Sequence, residues 1–270
     1  MGKEKYSTVD SVDAYTPAEI AVRVKNAGVG KANMSFFNTL TLSVLAGAFI
    51  AFGGMFYTLV ITDTELGFGP TRLLGGVAFS LGLILVVVAG AELFTGNNLI
   101  VMAWVDRRIA TSKLLRNWGL VFVGNFLGAA ATSLIVLLSG VFSMGDGIVA
   151  STAQDIAITK VQIPMMEAFF RGLLCNTLVC LAVWMCFAAR SVTSKILAIL
   201  FPISAFVALG FEHSVANMYL IPTGYLAGAY NITIGQFLSN LIPVTLGNIV
   251  GGSLFVALVY WIVYLRGSEK

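Results

Sequence analysis

Charge is scarce in this sequence. Only 11% of its 270 residues are Asp, Glu, Lys or Arg, against about a quarter in soluble globular domains. So few ions cannot cover a water-soluble surface, which excludes an ordinary soluble domain. Histidine occurs once, as His213, and the three cysteines (Cys175, Cys180, Cys186) share one apolar run without CxxC spacing. A structural zinc site needs clustered Cys or His donors and a disulfide framework needs patterned pairs, so neither is expected. The sequence also lacks an HExxH motif and the Asn-Pro-Ala motif of water and glycerol pores. No cofactor and no metal is expected, and nucleic acid is not an expected partner. The first 35 residues are polar and mixed in charge, without the regions of a cleaved signal peptide.

Apolar residues make up 58% of the chain. A helix needs about 20 of them in succession to cross a bilayer. Six such runs fall at 36–61, 72–104, 114–142, 163–189, 196–226 and 236–265. The second and fifth are too long and too interrupted for plain helices, each holding Gly-x-Glu at mid-run. Ahead of them, Thr16-Pro17-Ala18-Glu19 fits a capping box with proline at the first helical position. That predicts a short amphipathic helix over 17–27 at the membrane surface. The expected organisation is an N-terminal cytoplasmic segment (1–35), a transmembrane domain (36–266, in halves 36–142 and 163–266) and a tail (267–270).

The cations orient the chain. Thirteen Lys and Arg, from Lys3 to Lys31, Arg107 to Arg116, Arg190, Lys195, Arg266 and Lys270, fall on one side of these spans. Arg72 and Lys160 lie on the other, beside Asp63, Glu65, Asp146 and Asp155. The positive-inside rule then makes both termini cytoplasmic and the number of spans even, as in a multi-pass protein of the inner membrane. Arg171 falls inside the fourth span, four residues after Glu167. It reads as one partner of a helical ion pair, with a pore-lining charge as the alternative.

The halves repeat one another. Gly90-x-Glu92-x4-Asn97 matches Gly210-x-Glu212-x4-Asn217, and Asn117-x6-Gly124-Asn125-x2-Gly128 matches Asn240-x6-Gly247-Asn248-x2-Gly251. Three spans per half reverse the second half in the membrane. The expected fold is an all-α membrane protein of six transmembrane helices in two inverted three-helix repeats. Interrupted helices at matching positions mark a transport pathway near the midplane, where half-helix N-termini favour anions. The glycines read as close helix contacts, and Asn125 and Asn248 as interhelical hydrogen-bond partners. His213 stands at the second break, and an ionisable group at membrane depth usually lines a pathway. Glu92 and Glu212 either relay protons or hold their own breaks through hydrogen bonds, with Asn97 and Asn217 beside them; the structural role is the favoured one. Thr95 lies on the stretch that the repeat sets opposite His213.

The strings Leu93-Phe94-Thr95-Gly96, Phe211-Glu212-His213-Ser214-Val215-Ala216-Asn217-Met218 and Ile242-Pro243-Val244-Thr245-Leu246-Gly247-Asn248 resemble the formate/nitrite transporter family, above all its formate channels. The likeness extends over about 17–266. It implies an aquaporin-like protomer, a homopentamer, and one pore in each protomer. It implies that Thr95 and His213 meet at mid-pore. Constrictions would form at Phe79 and Phe206 on the outer side and at Leu83, Leu93 and Phe94 on the inner. Asn176 matches a polar pore-side residue, Lys160 a basic residue at the external vestibule, and the N-terminal helix a segment that gates the cytoplasmic mouth. Gly96-Asn97-Asn98 departs from the Ser-Thr of some formate channels, and nitrite and hydrosulfide branches also carry glycine there. The expected substrate is formate, with acetate, nitrite and hydrosulfide as related anions; a proton-coupled or pH-gated step at His213 is a further expectation. A neutral-solute pore and an intramembrane enzyme are the other classes. Ser214 and His213 are helix neighbours that do not face each other, so they make a poor hydrolase pair.

Overall fold

A computed structural model describes residues 14–267, whose regular elements are all helical with no strand among them. Lys3, Lys5 and Lys270, which count toward the orientation of the chain, lie outside the described residues, as does most of the expected tail.

The first helix, α1 (Pro17–Asn33), begins at the capping box: Thr16 N–H donates to Glu19 Oε2 at 2.7 Å. Glu19 carries a pKa below its usual range, because Thr16 backbone and hydroxyl donors favour its charged form. The helix runs six residues past the expected end at 27. Gly28 does not stop it: the residue is buried within the helix, where a Cβ would stand 3.2 Å from Ala103 Cβ. Burial of Ile20, Ala21, Val24 and Ala32 offsets the weak helix propensity of the local glycines. The segment is therefore packed into the protein as well as lying at its edge.

Then follow α2 (Phe36–Ile61) and α3 (Phe68–Leu85), which ends in a π-helical turn (Val86–Gly90). The chain opens at 91–95, resumes as a 3₁₀ turn (Gly96–Ile100) and closes into α4 (Val101–Val105). The long α5 (Thr111–Leu138) completes this part. The sequence predicts no helix over 143–162, yet α6 (Ile148–Val161) forms there, after a 3₁₀ segment. Next come α7 (Met165–Ala188), α8 (Val192–Ala208) and, past an opening at 209–213, α9 (Ser214–Leu226). The last elements are α10 (Ile234–Val250), a π-helical stretch (Gly251–Leu258) and α11 (Val259–Tyr264).

Among the described residues, five helical segments are long and apolar enough to cross a membrane: Phe36–Ile61, Phe68–Gly90, Thr111–Leu138, Met165–Ala188 and Ile234–Tyr264. Gly96–Val105 and Val192–Ala208 are shorter apolar pieces. Gly90 (φ +88°) and Gly210 (φ +73°) turn the chain at the two openings, in a backbone region that costs glycine little.

Glycine also lets the helices approach. A Cβ on Gly128 would stand 1.9 Å from Val44 O, joining α5 to α2, and one on Gly251 would stand 2.1 Å from Leu173 O, joining the end of α10 to α7. With no hydrophobic drive between helices in lipid, such backbone proximity supplies the packing. These two helix pairs frame the two openings.

Candidate functional site

Each opening is held by the same set of groups. Glu92 N–H donates to Leu42 O at 3.2 Å, and Asn125 brackets the open segment by accepting from Phe94 N–H (2.9 Å) and donating to Glu92 O (2.9 Å) and Ser43 O (2.7 Å). At the other opening Glu212 N–H donates to Arg171 O at 3.2 Å. Asn248 accepts from Ser214 N–H (2.9 Å) and donates to Glu212 O (3.0 Å) and Gly172 O (2.8 Å). Irregular backbone at membrane depth must find its hydrogen bonds inside the protein, and these asparagines supply them.

The acids follow the same scheme. Asn97 Nδ2 donates to Glu92 Oε2 at 2.7 Å and to Asn117 Oδ1 at 3.0 Å, while Asn217 Nδ2 donates to Glu212 Oε2 and Asn240 Oδ1, both at 2.7 Å. A lysine completes each set: Lys31 from α1 bonds Glu92 Oε1 at 2.5 Å, and Lys160 from α6 bonds Glu212 Oε1 at 2.8 Å. Asn117 and Asn240 then donate to the main-chain oxygens of those same lysines. Lys31, Asn117 and Asn240 had no site role in the sequence reading. Both carboxylates are buried and fully engaged, the arrangement of a structural clasp.

Thr95 and His213 come together at the centre. Thr95 Oγ1 lies 2.9 Å from His213 Nε2, and both residues are buried. His213 also caps α9, because its Nδ1 accepts the Ala216 N–H at 3.0 Å. An imidazole nitrogen that accepts carries no proton, so the ring is the neutral tautomer with hydrogen on Nε2. Nε2–H therefore donates to Thr95, which leaves the threonine hydroxyl proton for another acceptor.

Two cavities lie next to this pair, one lined by the neighbours of Thr95 in the chain, Leu93 and Gly96, and the other by His213 itself. One, of about 420 Å³, is lined by Leu83, Leu93, Lys31, Glu92, Arg23 and Lys195 among others. The second, of about 440 Å³, is lined by Phe79, Phe206, His213, Lys160, Arg72 and Arg171 among others. Thr95 lines neither. The Phe79 and Phe206 rings meet edge to face at 5.7 Å, and Phe206 stacks on His213 at 6.0 Å. Phe94, also expected at a constriction, lies outside both linings, with its ring against Phe122 and Trp118. Asn176 is buried behind the pair, donating to Thr95 O (3.2 Å), Asn98 Oδ1 (2.7 Å) and Asn248 O (2.7 Å). Its amide is thus taken up in tying the two openings together.

Among the described residues no His, Cys, Asp and Glu side chains group as a metal site. Comparison with known proteins gives the arrangement a family. The model of a family described as formate/nitrite transporter matches residues 18–262. The chain belongs to that family. It is 40% identical to the formate channel FocA of Escherichia coli K12, over 95% of this chain and 97% of that one. A probable formate transporter of Methanothermobacter thermautotrophicus is 42% identical, over 98% of this chain and all of its own. Among solved structures, a pentameric formate channel with formate bound superposes with a TM-score of 0.78 at 39% identity, covering 85% of this chain and 98% of that one. An ion channel of the same family superposes at 0.82 with 30% identity, covering 91% and 98%. The protein is thus an integral membrane transporter and not an enzyme.

Proposed function

We propose that this protein is a formate channel whose pore runs through each protomer, from one cavity past Thr95 and His213 to the other. The observation that carries this reading is the buried Thr95–His213 hydrogen bond, set between two cation-bearing cavities and closed off by apolar side chains. A bare anion is strongly disfavoured in an apolar passage unless a donor meets it. Phe79 and Phe206 on one side, with Leu83 and Leu93 on the other, strip water; the Thr95 hydroxyl proton is then the available donor. Nitrite, acetate and hydrosulfide are small enough monovalent anions to use the same groups.

The tautomer bears on proton coupling. His213 cannot give its Nε2 proton to formate from the neutral ring, since that would leave an imidazolate. It must first gain a proton at Nδ1, where Ala216 N–H now points. Protonation would therefore set two donors against each other and release the cap of α9. This supports anion hydrogen bonding as the resting route and pH-dependent uncapping as a gate.

The matched clasps further support two inverted repeats, one beginning at α1 and the other at α6, with six membrane crossings and both termini in the cytoplasm. On this reading the Lys31 cavity opens inward and the Lys160 cavity outward. The family resemblance and the pentameric relative favour a homopentamer in the inner membrane. Reconstituted protein tests the whole: flux of formate should exceed that of glycerol by orders of magnitude in liposomes, with nitrite and hydrosulfide measured alongside. Equal formate and glycerol flux would sink the reading.

A further inference from the structure

The cavity at the Glu212 opening holds more positive charge than its clasp requires. Lys160 is matched by Glu212, but Arg72 and Arg171 also line the space, opposed there by Asp155. The two arginines converge on Gly210. A Cβ built on that glycine would be 2.8 Å from Arg72 Nη2 and 4.0 Å from Arg171 Nη1, so the two nitrogens are no more than about 7 Å apart. Gly210 has φ +73° and no side chain to separate them.

Neither arginine is fully occupied. Arg72 donates Nε to Ala208 O at 2.5 Å and Nη2 to Val207 O at 3.2 Å, which caps the end of α8. Arg171 bonds Glu167 through Nη2 at 2.9 Å, on the exposed side of α7. Its Nη1, the nitrogen nearer Gly210, has no protein partner among the described residues. Two guanidinium groups facing one cavity at this separation repel each other. An anion between them removes the repulsion and accepts a hydrogen bond of about 2.9 Å from each.

We propose that Arg171 and Arg72 form an anion subsite at Gly210 that takes a small monocarboxylate, one step before the Thr95–His213 passage. The inference rests on the pore reading above for its place in transport, but the binding itself does not. Arg171 is the residue to test, since Arg72 also holds the end of α8.

Formate binding is measured on detergent-solubilised protein, from the rise in melting temperature with sodium formate at constant ionic strength (chloride balance), and flux is measured in liposomes. Arg171→Gln should weaken binding and raise the half-saturating formate concentration by about fivefold or more, as loss of a charge-assisted bond does. Arg171→Lys keeps the charge and should stay within about twofold of the parent. Glu167→Gln releases Arg171 from its exposed partner and should tighten binding. The difference between parent and Arg171→Gln should shrink in 1 M salt, where screening acts over about 3 Å. Unchanged formate binding in Arg171→Gln would overturn the subsite, as would a deficit that persists at high salt or weaker binding in Glu167→Gln. A parent that binds formate through Arg171 but passes none would overturn the pore reading and leave the subsite standing.

Discussion

Thr95 and His213, 118 residues apart in the chain, meet in a single hydrogen bond of 2.9 Å whose proton lies on the imidazole. Acidification should change formate flux, because a second proton at Nδ1 faces the Ala216 N–H. Asparagine at position 213 still caps a helix through its side-chain oxygen. His213→Asn should therefore assemble normally and give flux that is flat with pH. Retention of the parent's pH profile in that variant would place the switch elsewhere.

Asp106 is the competing explanation for pH sensitivity, and its chemistry argues against it. It accepts from Lys25 of α1 (3.0 Å), Arg108 (3.2 Å) and Trp261 of α11 (2.9 Å). Burial opposes its charge, but hydrogen bonds from Trp261, Lys25 and Arg108 outweigh that and hold its pKa below the usual value. A depressed carboxyl contributes stability above its unfolded value, near pH 4, and loses it as the pH falls through the lower folded value. Docking of α1 by this group is intact across pH 5–7. Asp106→Asn should loosen α1, read as faster amide exchange over Pro17–Asn33, while the flux profile across pH 5–7 keeps its shape.

The apolar side chains beside the pair should limit both rate and selectivity. Phe206→Ala opens the edge-to-face contact with Phe79 and uncovers one face of His213. Formate flux should rise severalfold and larger monocarboxylates should pass. Leu83→Ala should act likewise from the other cavity. Parental flux and selectivity in both variants would mean the anion travels by another route.

The openings were legible in the sequence because Gly-x-Glu-x4-Asn repeats with fixed local spacing, and each glycine turns the chain at its opening. The lysine clasps were not. Lys31 stands 61 residues from Glu92, whereas Lys160 stands 52 from Glu212, so unequal connections erase the register. The overlooked α6 belongs to the same omission, since it carries Lys160 as α1 carries Lys31. A basic residue in the last turn of each of these helices was the available signal. The approach of Arg72 to Arg171 depends on how α3, α7 and α8 pack, and no local pattern records it.

Glycine contacts separate packing from propensity. A Cβ on Gly247 would be 2.1 Å from Phe169 O, a backbone atom that cannot turn away. Gly247→Ala should destabilise the protein by about 1–3 kcal/mol or prevent assembly. Gly119, also within a helix, has open space around its Cβ position. Gly119→Ala should be neutral or stabilising by up to about 1 kcal/mol. Thermal unfolding in detergent checks both, and equal effects would mean the α7–α10 contact is looser than its geometry implies.

The clasps predict a non-additive pattern. Removing a lysine strands a buried carboxylate, and breaking a buried pair from one side costs about 3–5 kcal/mol. Lys160 is the less exposed of the two lysines, with 15% of its side-chain surface open against 31% for Lys31. Lys160→Met should then lose about 3 kcal/mol or more, and Lys31→Met about 2 kcal/mol, since solvent screens the more exposed charge. Glu212→Gln added to Lys160→Met removes the stranded charge while keeping an oxygen for Asn217, so the double variant should recover most of the loss. Melting temperatures of the single and double variants form a cycle whose coupling term reads the pair directly. Additive losses would show that Lys160 and Glu212 carry no coupling energy, and the charged clasp would then be overturned.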